Sequence, residues 1–188
     1  TFTRESVQNN HIVSESEIRL DQFSTWAFGA KLTDAFFYDS PQEGLGLTPV
    51  LFNGNGTGSP TLQFTQVAEA NRQSLNLGTA LVRLISTDAR MEMGRHLAGV
   101  AVANDLPAGV SAWDAAADPY MTSISVTNPG SKNDGLEGDV IVGYFKPLDP
   151  SFTNPGFEDD IYFMIVNGLS DAVGTAAETT QDIRLDFD

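Results

Sequence analysis

The sequence predicts an α/β segment over residues 1–85, followed by an all-β antiparallel β-sandwich over residues 86–188. Three observations carry this. Two helix-start signals flank an apolar run in the first part, giving the order helix, strand, loop, helix of an α/β unit. Beyond residue 86, short β-prone runs alternate with turn clusters such as Asn128-Pro129-Gly130 and Asn133-Asp134-Gly135. Hydrophobic residues make up 41% of the chain and include 12 Phe, enough for a core despite a net charge of −15.

Residues 1–13 are polar and show no clear period. Ser14-Glu15-Ser16-Glu17 is a capping box, in which the Ser14 side chain accepts from the backbone at Glu17 and Glu17 reaches back. Leu20, Phe23, Ala27 and Ala30 follow at steps of three and four, so a helix is expected at about 14–29. Trp26 lies beside this stripe and reads as packing. Leu32 to Tyr38 reads as a strand, and the unbroken run Ala35-Phe36-Phe37-Tyr38 fits one covered on both faces, as in a parallel sheet.

Residues 40–60 read as loop. Asn53-Gly54-Asn55-Gly56-Thr57-Gly58 is Gly-rich but lacks the Lys-Ser/Thr of a phosphate loop. The sequon Asn55-Gly56-Thr57 matters only in a eukaryotic secretory host. Ser59-Pro60 marks a second helix start, with Ser as cap and Pro at the first helical position. Gly78 ends that helix, or Ala80–Ile85 extends it.

Five strands are then expected: His96–Ala103, Met121–Val126, Asp139–Phe145, Ile161–Val166 and Ile183–Phe187. Val140, Val142 and Tyr144 alternate with Ile141, Gly143 and Phe145, and both sets are apolar or small, as in a strand covered on both sides. Residues 182–188 alternate strictly and read as a half-buried strand.

Charge and composition exclude several classes. With 25 Asp+Glu against 10 Lys+Arg, the chain should be repelled by nucleic acid and by anionic membranes, and it suits neutral or cationic partners. The absence of Cys excludes disulfides, CxxC redox sites and thiolate metal sites. No apolar run approaches the roughly 18 residues that cross a membrane. No signal peptide opens the chain, and a start at Thr1 points to a processed or truncated N-terminus.

The stretch Glu17-Ile18-Arg19-Leu20-Asp21-Gln22-Phe23, then Trp26-Ala27-Phe28-Gly29-Ala30-Lys31, then Phe36-Phe37-Tyr38, resembles retaining glycoside hydrolases of the (β/α)8 type, at a helix leading into the eighth barrel strand. Val67–Asn71 and Leu77–Leu81 are similar to the eighth helix and its exit, and Val142–Phe145 and Tyr162–Asn167 to strands of a following sandwich. Leu32-Thr33 departs from the pattern, standing where the family has Gly after Ala-Lys.

The resemblance implies that residues 1–85 are a partial (β/α)8-barrel segment and that residues 86–188 are the C-terminal β-sandwich of a carbohydrate-active enzyme. Such enzymes use two carboxyls about 5 Å apart, an acid/base and a nucleophile. The acid/base would lie outside this chain, and Glu5 is the one candidate nucleophile, weighed against an exposed loop carboxylate. Tyr38 and Asp39 would face the sugar at the end of the eighth strand, where an aromatic ring stacks on a sugar face and a carboxylate binds hydroxyls; simple core packing competes for Tyr38. The expected partners are the remaining N-terminal part of the enzyme, or a second chain carrying it, and an oligo- or polysaccharide. Secretion or a periplasmic location follows from the same resemblance.

No cofactor or metal is expected. His11 and His96 stand far apart, so neither a His metal site nor a Ser–His–Asp triad has support. Asn133, Asp134, Glu137 and Asp139 could supply oxygens to Ca²⁺, as could Glu158, Asp159 and Asp160, but neither group has EF-hand spacing and both read as solvated turns. The alternative function is a non-catalytic carbohydrate-binding or structural β-sandwich, with exposed aromatics such as Trp113 and Tyr120 stacking on sugar. A surface adhesion or assembly module is a third reading.

Overall fold

A computed structural model of the chain describes residues 12–33, 51–53, 58–149, 156 and 159–188. Its elements are two helices, α1 (Glu15–Ala27) and α2 (Leu62–Leu81), and eight strands. The strands are β1 (Leu84–Glu92), β2 (Arg95–Ala98), β3 (Val100–Ala103), β4 (Ser111–Ala112), β5 (Met121–Thr127), β6 (Val140–Pro147), β7 (Tyr162–Asn167) and β8 (Asp182–Phe187).

The capping box is formed: Ser14 Oγ accepts from the Glu17 amide at 3.2 Å, and Glu17 Oε2 accepts from the Ser14 amide at 2.8 Å. Helix α1 ends at a C-cap Phe28, followed by Gly29 at φ +88°, a conformation that favours glycine. A Cβ there would also lie 2.3 Å from the Ser86 Cβ, so the chain after α1 runs directly against β1. Lys31 Nζ then donates to the carbonyls of Leu81 and Leu84, at 2.7 and 2.6 Å, and ties this exit to the junction of α2 and β1. Helix α2 is capped by the Thr61 hydroxyl, not by Ser59, so it starts two residues later than the Ser-Pro signal indicates.

Strands β4-β1-β6-β7 form one sheet in that order. Strand β6 is antiparallel to both β1 and β7, and only the two-residue β4 runs parallel to its neighbour. Strands β5 and β8 form a separate antiparallel ladder, and β2 and β3 an exposed hairpin turning at Gly99, φ +79°.

Three layers result. Val140, Val142 and Tyr144 of β6 face the β5–β8 ladder, in a cluster with Met121, Ile124, Ile183 and Leu185. On the other face, Ile141 packs with Ala27, Leu20 and Phe23 of α1 and with Met91 and Val166. The far side of α1 packs Ile18 on Val67 and Ala70 of α2, with Leu51. Strand β6 is therefore covered on both faces because it is the middle of a three-layer stack, which removes its apolar surface from water on both sides.

The expected architecture is corrected by these pairings. A partial (β/α)8-barrel segment needs parallel strands joined by helices. Here the strand that follows α2, β1, pairs antiparallel along its whole length with β6. The described residues form a small mixed α/β fold of two α-helices and mostly antiparallel sheets, not a barrel segment followed by an all-β sandwich. The strand expected at Leu32–Tyr38 lies, from residue 34 onward, outside the described residues.

Candidate functional site

Four aromatic rings converge at one end of the layers, where β5 and β7 begin, β8 ends and β6 is past its midpoint. Phe163 stands at the centre. Its ring centroid is 5.5 Å from that of Tyr144, its register partner on β6, 5.8 Å from Tyr120, and 5.5 Å from Phe187. The Tyr144 and Tyr120 contacts are edge-on, the arrangement that aromatic quadrupoles favour. Exposure rises outward: Tyr144 is buried, Phe163 half-buried, Tyr120 38% exposed and Phe187 52% exposed.

The sheet register builds this ledge. Met121 pairs with Phe187, and the Asp188 amide donates to the Tyr120 carbonyl at 3.1 Å, which brings the two exposed rings onto adjacent strands. Asp118 holds the ledge from behind. Its carboxylate accepts from the Tyr120 and Met121 amides at 2.9 Å each, from Trp113 Nε1 at 2.8 Å, and from the Tyr144 hydroxyl. Burial pushes the Asp118 carboxyl up, but these four donors outweigh it, and its pKa falls below the usual value. The Tyr144 hydroxyl is pushed upward, by burial first and by its bond to Asp118 second. Tyr144 is thus a fixed neutral donor and does no acid–base work near neutral pH. Arg90 lies over its ring, 5.8 Å from the centroid, and is paired with Asp88 at 2.7 Å.

A groove of about 500 Å³ follows the edge strand β7 beside α1, lined by Phe163 and Ile165 from the ledge's face of the sheet and by Met164 and Val166 from the α1 face. Its wall is apolar near Phe23 and Phe163 and polar toward Arg19, Asn167, Thr179 and Thr180. Arg19 is oriented by Glu15 at 3.1 Å and by Gln73 at 3.1 Å. Asn167 donates to the Thr179 carbonyl at 2.7 Å and accepts from Gln181, which fixes the polar end.

The residues singled out from sequence fare unevenly. Glu5, Tyr38 and Asp39 lie outside the described residues, as do His11 and Glu158. Trp26 packs between the helices, its Nε1 donating to Ser74 at 3.0 Å. Trp113 and Tyr120 do not share an exposed face: Trp113 packs into the core beside Met121 with its N–H on Asp118, whereas Tyr120 is on the ledge. Phe163 and Phe187 carry no local sequence signal for the site, because they are far apart in sequence and meet only where the β5–β8 ladder packs on the sheet that holds β7.

In the acidic turn, Glu137 is paired with Arg95 and Asp139 accepts from Gly94 and Asn104. Among the described residues no three His, Cys, Asp or Glu side chains are arranged to hold a metal ion, and no helix is long and apolar enough to cross a membrane. No family model matches the chain, and neither a curated protein nor a solved structure matches it.

Proposed function

We propose that this chain is a non-catalytic module that binds neutral oligosaccharides. One observation carries the reading: two exposed rings, Tyr120 and Phe187, are held on Phe163, a residue that also lines a partly polar groove along the edge strand β7. Closing the end of the apolar layers requires Tyr144 and Phe163; it does not require Tyr120 and Phe187 to stay in water. Such rings offer flat apolar surface to the C–H face of a sugar, and the groove that shares Phe163 adds hydrogen-bonding groups suited to hydroxyls.

The charge of −15 disfavours anionic polysaccharides and leaves neutral ones. The resemblance to glycoside hydrolases supports the same ligand class, with the chain serving as an accessory part of a longer enzyme or beside a second chain. Completion of a barrel is no part of this role, since β1 pairs antiparallel. An aromatic ledge with few fixed polar contacts gives modest affinity, on the order of 0.1–1 mM, or about −4 to −5.5 kcal/mol.

An array of neutral and acidic glycans, probed with the intact chain and with Tyr120→Ala, tests the reading. Binding to neutral oligosaccharides that the variant loses is the expected result. Binding confined to acidic glycans, or none at all, would refute it.

A further inference from the structure

The opposite end of the sheet, where β6 begins and β7 ends, carries a separate polar recess of about 260 Å³. His96, Asn104, Asn133, Asp139 and Ser170 supply its polar side chains. The hydrogen bonds decide which atoms remain for a ligand. Asp139 Oδ1 accepts from the Gly94 amide at 2.7 Å and from Asn104 Nδ2 at 2.9 Å. Because Asn104 turns its nitrogen to that carboxylate, its Oδ1 faces His96 Nδ1, at 2.8 Å. A carbonyl oxygen only accepts, so Nδ1 carries the proton and the neutral ring keeps its lone pair on Nε2. Asn133 Nδ2 donates to the carbonyls of Arg95 and Leu136, at 2.8 and 2.9 Å, which leaves Asn133 Oδ1 as an acceptor.

The unspent groups are therefore one carboxylate oxygen, one imidazole nitrogen, one amide oxygen and the Ser170 hydroxyl. The donors nearby are already used. The Gly138 amide donates to Gln181 Oε1 at 2.6 Å, and the Gly168 amide to the Asp139 carbonyl at 2.8 Å. Arg95 is forked onto Glu137, with its second bond at 2.8 Å.

This inventory selects the ligand. An anion would meet Asp139 with no uncompensated cation beside it. A polyol can donate its O–H bonds to these acceptors but brings no charge to offset the Asp139 carboxylate. A hard divalent cation wants about six oxygen ligands, more than the recess presents. A quaternary ammonium wants aromatic faces, and none line it. We propose that the recess binds the primary ammonium group of a small molecule, with Asp139 Oδ2 as counter-charge and His96 Nε2 and Asn133 Oδ1 accepting its other N–H bonds.

The test is titration of the intact chain with ethanolamine at pH 8, following the His96 ring and Asn104 side-chain amide signals by NMR, with ethylene glycol as the uncharged comparison. Saturable shifts in both signals with ethanolamine alone are expected. Asp139→Asn, which keeps an acceptor for Gly94 but loses the charge, should weaken binding at least tenfold. His96→Ala, a change at an exposed position, should weaken it about fivefold as read on Asn104. Equal shifts with ethylene glycol, or unchanged affinity in either variant, would overturn the proposal, as would no shift at all.

Discussion

The carbonyl oxygen of Ala27 occupies the space that a side chain on Gly143 would need: a Cβ at that glycine would lie 2.4 Å from it. The last turn of α1 thus rests on the backbone of the central strand. Gly143→Ala is expected to force α1 off the sheet and cost about 1–3 kcal/mol. Gly78 gives the contrasting case, inside α2 with nothing within 4 Å of an added Cβ, so Gly78→Ala should stabilise by about 0.5–1 kcal/mol. Thermal melts of the two variants check both signs.

Asp118 is the shared acceptor behind the ledge, so its loss should exceed that of any one donor. Asp118→Ala leaves the Tyr144 hydroxyl and the Trp113 N–H without a partner in a largely apolar setting and should cost about 2–4 kcal/mol. Tyr144→Phe removes one donor and should cost only about 1 kcal/mol. Urea unfolding, with Trp fluorescence as readout, separates the two.

Acid should destabilise the fold from about pH 4 downward. Asp118 sits below its ordinary value: burial raises it, and donation from Tyr144, Met121, Tyr120 and Trp113 prevails. Asp171 is lowered first by the Val173 amide and Asp186 first by the Ser123 hydroxyl. A carboxyl with a depressed folded pKa contributes stability that is complete above its unfolded pKa, near 4, and is lost as pH falls through the folded pKa. Glu92 has the opposite sign. Burial raises it, so its contribution is present at low pH and disappears as pH rises through its folded pKa, and Glu92→Gln should gain stability at pH 7. Unfolding free energies at pH 3 and pH 6 should differ less in Asp118→Asn than in the parent chain.

Legibility in the sequence followed the range of the signals. The capping box at Ser14 and Glu17 is local chemistry and appears as read. The strands from Met121 onward were marked by turn clusters on either side, and the two-sided apolar pattern of β6 matched its place between two layers. Strand β1 was missed because Leu84-Ile85 continues the apolar run of α2, and its outer residues Asp88 and Arg90 are polar, the ion pair being visible only in three dimensions. The run His96–Ala103 was read as one strand, whereas Gly99 folds it into a hairpin. The Gly29-Ala30-Lys31 stretch that resembled a barrel turn has another physical use here: Gly29 permits the close approach to Ser86, and Lys31 binds the carbonyls of Leu81 and Leu84. Tyr120 alone of the ledge is a sugar-stacking candidate by sequence, since its grouping with Phe163 and Phe187 depends on the β5–β8 register and on the packing of that ladder against the sheet that holds β7.

The central claim, a sugar platform made of Tyr120 and Phe187, is tested most directly by calorimetric titration of the best-binding neutral oligosaccharide into four proteins. These are the parent chain, Tyr120→Ala, Phe187→Ala and Tyr162→Ala. Tyr162 is the fitting control, for it is 37% exposed, as accessible as Tyr120, but its position next to Phe163 on β7 puts it on the other face of the sheet and it does not line the groove. The account predicts that each ledge variant weakens binding about tenfold or more, roughly 1.4 kcal/mol, while Tyr162→Ala binds as the parent does. Unchanged affinity in Tyr120→Ala and Phe187→Ala, or an equal loss in Tyr162→Ala, would contradict it.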